Sequence, residues 1–113
     1  MNPITTAIQK LTASYLKEYL KWNSKPEPSD INGGDCAKFA YRIYKTVQGL
    51  QLMTTGFCGG HAWIFDGKKH YDSEHPKGVS DWRKLDRSYT GMPHGYAEQL
   101  TVKEFLTYWK KYL

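Results

Sequence analysis

Asp66-Gly67 is the point at which this chain has the fewest choices. It separates two short runs of strand character, His61–Phe65 (HAWIF) and Lys68–Asp72 (KKHYD). Asp-Gly between such runs predicts a hairpin with a two-residue loop, because a type I′ turn needs positive φ at both central residues. With Asp66-Gly67 at the tip, Phe65 faces Lys68 and the pairing runs backwards with a constant index sum of 133. Trp63 then faces His70, and His61 faces Asp72. Side chains opposed in this way share a face, with Cβ atoms about 4.5–5.5 Å apart. The turn by itself therefore sets a carboxylate beside an imidazole. A carboxylate there fixes the ring tautomer and stabilises the imidazolium. A three-residue loop would send Asp72 to the other face, where the pair is lost. A slip of two residues would offer Glu74 as the partner of His61 instead. The plain alternative is a cross-strand polar pair on a solvated face.

The segments on either side read as an α+β domain. Asn2-Pro3 suits a helix start, and Ile4, Ile8, Leu11, Tyr15 and Tyr19, with Leu16 and Leu20, predict a helix over 3–22. Residues 23–34 (NSKPEPSDINGG) predict a loop. Asp35 is a good N-cap for a second helix with Phe39, Ala40, Ile43, Tyr44 and Val47 as its apolar stripe, stopped at Gly49. Residues 50–57 predict a strand. Pro76 and Gly78 predict a loop after the hairpin, then a short turn or helix over 80–85 and a loop at 91–95. Thr101 and Glu104 form a capping box for a last helix carrying Phe105, Leu106, Trp109 and Leu113. The expectation is one domain over residues 1–113, with helices packed on a small antiparallel sheet.

Cys36 supplies a third chemical group. It follows Gly33-Gly34-Asp35 and opens the second helix. A thiol at a helix N-terminus faces the positive end of the macrodipole, which favours thiolate, and an imidazolium nearby favours it further. Free amides at the helix start are suited to an oxyanion. The plain alternative is an ordinary buried cysteine. Cys58 reads as a packed thiol, able to pair with Cys36 on oxidation.

Gly34-Asp35-Cys36-Ala37-Lys38-Phe39-Ala40, Gly60-His61-Ala62-Trp63-Ile64 and Tyr71-Asp72, in that order, resemble the transglutaminase-like and papain-like cysteine superfamily. The resemblance spans roughly residues 32–87, and the stretch through Asp81-Trp82-Arg83 looks like small bacterial and phage proteins of that superfamily. It implies a papain/transglutaminase-like core with Cys36 as nucleophile, His61 as base and Asp72 as its orienting carboxylate. The implied chemistry is thiol-dependent amide hydrolysis or acyl transfer on a protein or peptide substrate, without a cofactor or metal. The same fold also serves non-catalytic binding or inhibitor proteins. The chain departs from the pattern in its shortness, with Cys36 and His61 only 25 residues apart, and in having no papain-type Gln upstream of Cys36. Asn32 or the Trp22-Asn23 pair are the polar groups near that position.

Composition narrows the partners. Lys and Arg total 16 against 11 Asp and Glu, a net charge of +5, but the two halves carry +3 and +2 and the longest basic runs are pairs. A solvated surface with mild positive excess explains this better than a nucleic-acid patch. Aromatic residues with basic neighbours, such as Trp82-Arg83-Lys84, are what a nucleic-acid reading would use. No apolar run approaches the roughly 18 residues of a membrane span, and no secretory signal is legible at Met1–Thr5. Two cysteines exclude a disulfide scaffold and, as free thiols, favour the cytoplasm. Cys58-x2-His61, with Cys36, His70 and His75, lacks the second paired motif that a zinc site needs. His94, between Pro93 and Gly95, reads as a loop histidine, with a place lining the cleft as the alternative.

Overall fold

The computed structural model describes residues 2–55, 60–85 and 97–113. Among these, four helices and a five-stranded antiparallel sheet form an α+β domain. Helix α1 spans Pro3–Tyr19, with the Asn2 side chain accepting from the Ile4 amide at 2.8 Å. It stops three residues earlier than its apolar spacing predicts. Leu20 is its exposed C-cap, and the amides of Lys21, Trp22 and Asn23 turn back onto the carbonyls of Glu18 and Tyr19.

The expected loop over 23–34 contains a short helix, α2 (Pro28–Asn32). Pro28 sits at its first turn, where a missing N–H costs nothing, and the Asp30 carboxylate accepts from the Glu27 amide at 2.8 Å. Helix α3 runs over Cys36–Thr46 and buries Ala37, Phe39, Ala40 and Ile43. Gly49, at φ +84°, turns the chain into β1 (Gln51–Thr55).

Strands β2 (Ala62–Phe65) and β3 (His70–Asp72) form the hairpin, but its tip lies one residue later than predicted. Ile64 pairs with Tyr71 and Phe65 with His70. The Asp66 amide donates to the Lys69 carbonyl at 3.1 Å, which leaves Gly67 (φ +98°) and Lys68 at the tip. The cause is the Asp66 side chain. Its Oδ1 accepts from the amides of Lys68 and Lys69, at 2.8 and 2.7 Å, so it caps the turn from outside instead of standing at its centre. Register shifts by two, an even number, so every side chain keeps its predicted face.

Two strands were not expected. β4 (His75–Val79) pairs with β3 where Pro76 and Gly78 suggested a loop, and β5 (Ala97–Leu100) pairs with β1. The order β4-β3-β2-β1-β5 makes both of them edges, where a proline deletes no internal ladder bond. Helix α4 (Val102–Tyr108) has the predicted Thr101–Glu104 capping box and continues into a 3₁₀ turn, Lys110–Tyr112.

Alternation along the strands makes two cores. Leu52, Ala62, Ile64 and Tyr71 join Ile8, Ile31, Phe39, Ile43 and Phe105 under the helices. On the other face Met53 and Trp63 are buried with Leu85, backed by Phe65 and Trp82. Trp82 belongs to a 3₁₀ turn, Trp82–Lys84, inside the predicted turn or helix. The loop expected at 91–95 lies outside the described residues.

Gly78 is the backbone position on which the edge strand turns. Its φ is +81°, and a Cβ there would lie 2.8 Å from Cε2 of Tyr71 and 2.9 Å from Cβ of Lys69. Gly78→Ala is expected to cost about 1–3 kcal/mol through overpacking and the left-handed backbone. Urea denaturation measures it, and an unchanged midpoint would show that β4 does not hold this conformation in solution.

Candidate active site

Each member of the predicted triad is held by a different piece of backbone. His61 lies just before β2. Its amide donates to Thr55 Oγ1 at 2.8 Å and its carbonyl accepts from the Thr55 amide at 3.0 Å, so the last residue of β1 clamps the histidine main chain. Asp72 ends β3. Its Oδ1 accepts from the amides of Glu74 and His75, both at 3.0 Å, and its Oδ2 meets His61 Nε2 at 3.0 Å. Cys36 begins α3 as a free thiol. All three are buried, His61 at 2% exposure and Asp72 at 3%.

The His61–Asp72 contact is diagonal and not directly opposed. Extending the observed register puts Glu74 opposite His61, which is the slip of two weighed above. Glu74 nevertheless does not replace Asp72. β3 ends at Asp72, the chain turns at Ser73-Glu74, and the Glu74 carboxylate accepts from Asn32 Nδ2 at 2.8 Å. Diagonal neighbours remain within reach of a histidine and an aspartate.

Burial opposes charge on His61, but the hydrogen bond to Asp72 and the neighbouring Cys36 and Asp72 side chains outweigh it and raise the imidazole to about 9. Nδ1 is buried and has no hydrogen-bond partner. Cys36 is the acidic neighbour besides Asp72 that acts on the ring. The ring plane is set by Trp63, which stacks on His61 at 5.7 Å and is itself fixed by an indole N–H donated to His70 Nδ1 at 2.9 Å. Burial lowers the His70 pKa, in keeping with a ring that accepts at Nδ1.

Cys36 and His61 open on a common cleft of about 390 Å³. Asn32, Gly33 and Gly34 border it, Gly60 lies beside His61, and Tyr108, Trp109 and Tyr112 form an aromatic wall. The apolar spacing of the last helix marked Trp109 as core but gave no sign that its neighbours face this cleft. Thr55 was also missed, since a strand-end threonine carries no distinguishing pattern. Of the two polar groups named near Cys36, Asn32 borders the cleft, whereas Trp22 is exposed and stacks on Tyr19, and Asn23 bonds Asp30.

Asp35 stands at the N-cap of α3 but does not cap it with its side chain. Its carboxylate accepts from the Tyr19 hydroxyl instead; burial, and after it this interaction, raises the tyrosine pKa. Among the described residues no three His, Cys, Asp or Glu side chains converge as a metal site; Cys58 and His94 lie outside them. Trp82 stacks on Trp63 and Arg83 pairs with Asp81 at 3.0 Å, so this aromatic–basic cluster is engaged within the chain. No helix among the described residues is long and apolar enough to cross a membrane. No protein-family model, curated protein or solved structure matches the chain.

The raised imidazole pKa links the site to stability. A histidine raised from its ordinary value near 6.5 to about 9 contributes fully below about pH 6.5, and that contribution is lost as pH rises through 9. Urea midpoints between pH 6.5 and 9.5 are expected to fall more steeply in the parent protein than in His61→Gln. Equal slopes would mean that the imidazole is not held in its charged form.

Proposed function

We propose that the chain is a thiol-dependent amide hydrolase or acyl transferase that uses Cys36, His61 and Asp72. The observation that carries this reading is the buried imidazole, held by Asp72 through Nε2, with Nδ1 left without a hydrogen-bond partner at a cleft it shares with Cys36. A second support is the order GDC–HAW–YD, which resembles the transglutaminase-like and papain-like superfamily. A thiol nucleophile suits a reducing compartment such as the cytoplasm.

The reaction follows from the groups at hand. At neutral pH the proton of the Cys36–His61 pair rests on His61, and the imidazolium is stabilised by Asp72. The thiolate attacks an amide carbonyl carbon, forming the Sγ–C bond. The oxyanion is met by first-turn amides of α3, which the Asp35 carboxylate leaves uncapped. His61 then gives its proton to the amide nitrogen, the C–N bond breaks, and an amine departs. Water enters, loses a proton to His61 and attacks the thioester. The C–O bond forms, the Sγ–C bond breaks, and the Cys36 thiolate is released beside the protonated His61. A second amine in place of water gives acyl transfer.

Iodoacetamide labelling of Cys36, read by mass spectrometry between pH 5 and 8, tests the pair. Labelling in the parent protein is expected to be fast at neutral pH and to slow by about 10²-fold in His61→Ala. Asp72→Asn should lie between the two. Equal, slow labelling in all three proteins would sink the enzyme reading and leave a binding protein built on this fold.

A further inference from the structure

We infer that the cleft takes an extended peptide whose main chain crosses Gly34 and whose aromatic side chain rests against Tyr108 and Tyr112. This names the substrate class of the site above and rests on that reading for its chemistry, though not for its shape. Gly34 is the first observation. It borders the cleft, its φ lies outside the left-handed region, and an added Cβ would meet nothing within 4 Å. Neither backbone conformation nor packing therefore requires glycine here. Close approach of another backbone is the remaining physical use of a missing side chain.

The aromatic wall is the second observation. Trp109 is buried at 7% exposure and anchors two tyrosines edge-to-face, Tyr108 at 5.4 Å and Tyr112 at 5.7 Å between ring centroids. Those tyrosines are 52% and 57% exposed, yet both line the same cleft as Cys36. A ring placed against them gains contact area and offset or edge-to-face geometry. The cleft volume of about 390 Å³ suits a short segment and not a large cofactor.

Charge selects among occupants. Among the described residues no Lys, Arg, Asp or Glu lines the cleft. Apart from His61, which is paired with Asp72, the described lining offers a charged side chain no partner of opposite sign. A nucleic-acid strand would find rings to stack on but, among the described lining residues, no Lys or Arg for its phosphates.

Acetylated dipeptidyl chloromethyl ketones test this, because Cys36 Sγ displaces chloride and forms a stable carbon–sulfur bond that mass spectrometry locates. The probes are Phe-Ala, Ala-Phe, Ala-Ala and Asp-Ala. One Phe probe is expected to label Cys36 about tenfold faster than Ala-Ala, and Asp-Ala more slowly still. Tyr108→Ala and Gly34→Val should each bring the Phe-to-Ala rate ratio close to one, with thermal midpoints confirming that both variants fold. Trp22→Ala, an exposed aromatic outside the cleft, should keep the ratio. A ratio near one in the parent protein, with labelling that still depends on His61, would overturn the subsite and leave the thiol chemistry standing. A Phe preference that survives in His61→Ala would keep the subsite and remove the catalysis. Protection of Cys36 by a single-stranded oligonucleotide, with none from an acetylated Phe-Ala amide, would also overturn the inference.

Discussion

The buried carboxylate of Asp72 is the interaction on which the site geometry depends. A charge at 3% exposure is tolerable only when hydrogen bonds surround it. Asp72 has three such bonds, two from the backbone of its own turn and one from His61. The same bonds end β3, start the turn into β4 and orient the imidazole. That turn is then tied to α2, through Ser73 Oγ donating to the Pro28 carbonyl at 2.8 Å and Asn32 donating to Glu74. Since α2 leads directly into Gly33, Gly34 and α3, the position of Cys36 is fixed relative to Asp72 by a short path of polar contacts and not only by the core.

The hairpin shows how much of this was legible in the residues. Asp-Gly located the turn to within one residue, and the error in register was even. The period of a strand is two, so an even error leaves faces intact while changing which residues stand directly opposite. His61 and Asp72 therefore met, though diagonally. What hid the true tip was a side chain: Asp66 also accepts from the Tyr71 hydroxyl at 2.8 Å, and that tertiary contact holds the carboxylate outside the turn. The edge strands were hidden for a related reason. β4 carries Pro76 and Gly78, and β5 is Ala-Glu-Gln-Leu, so neither has the apolar alternation of an interior strand. Both exist because a neighbouring strand offers its free edge. The wall of the cleft was illegible for a third reason. Helical spacing tells which side of α4 meets the core, not what stands beyond its end.

The HAW segment illustrates how one strand serves both faces. Ala62 points under the helices, where Ala37 and Ala40 of α3 are buried in the same cluster. Small side chains on the facing surfaces let α3 approach β2, and that approach carries Cys36 toward His61. Trp63 points the other way. It fills the second core at 0% exposure, stacks on Trp82 at 5.9 Å and presents its face to His61. A large ring there does two jobs that an aliphatic residue could not combine, since its N–H also needs and finds His70. Phe65 closes the row by stacking on His70 at 4.2 Å.

The start of α3 completes the electrostatics. An aspartate at an N-cap ordinarily turns its carboxylate onto the first amides of its helix. Had Asp35 done so, a negative charge and two oxygen acceptors would sit where the proposed reaction needs donors for its oxyanion, one residue from the thiol. Tyr19, at the end of α1, prevents this by donating its hydroxyl to that carboxylate. The ring is fixed in turn by Tyr15 at 6.1 Å, itself packed on Phe39 of α3 at 5.6 Å. The aspartate thus keeps the backbone of a helix start, while its charge is drawn to the α1 side and the amide dipoles of α3 stay uncapped by it. The packing of α1 against α3 is in this sense part of the electrostatics at Cys36, although no residue of α1 lines the cleft.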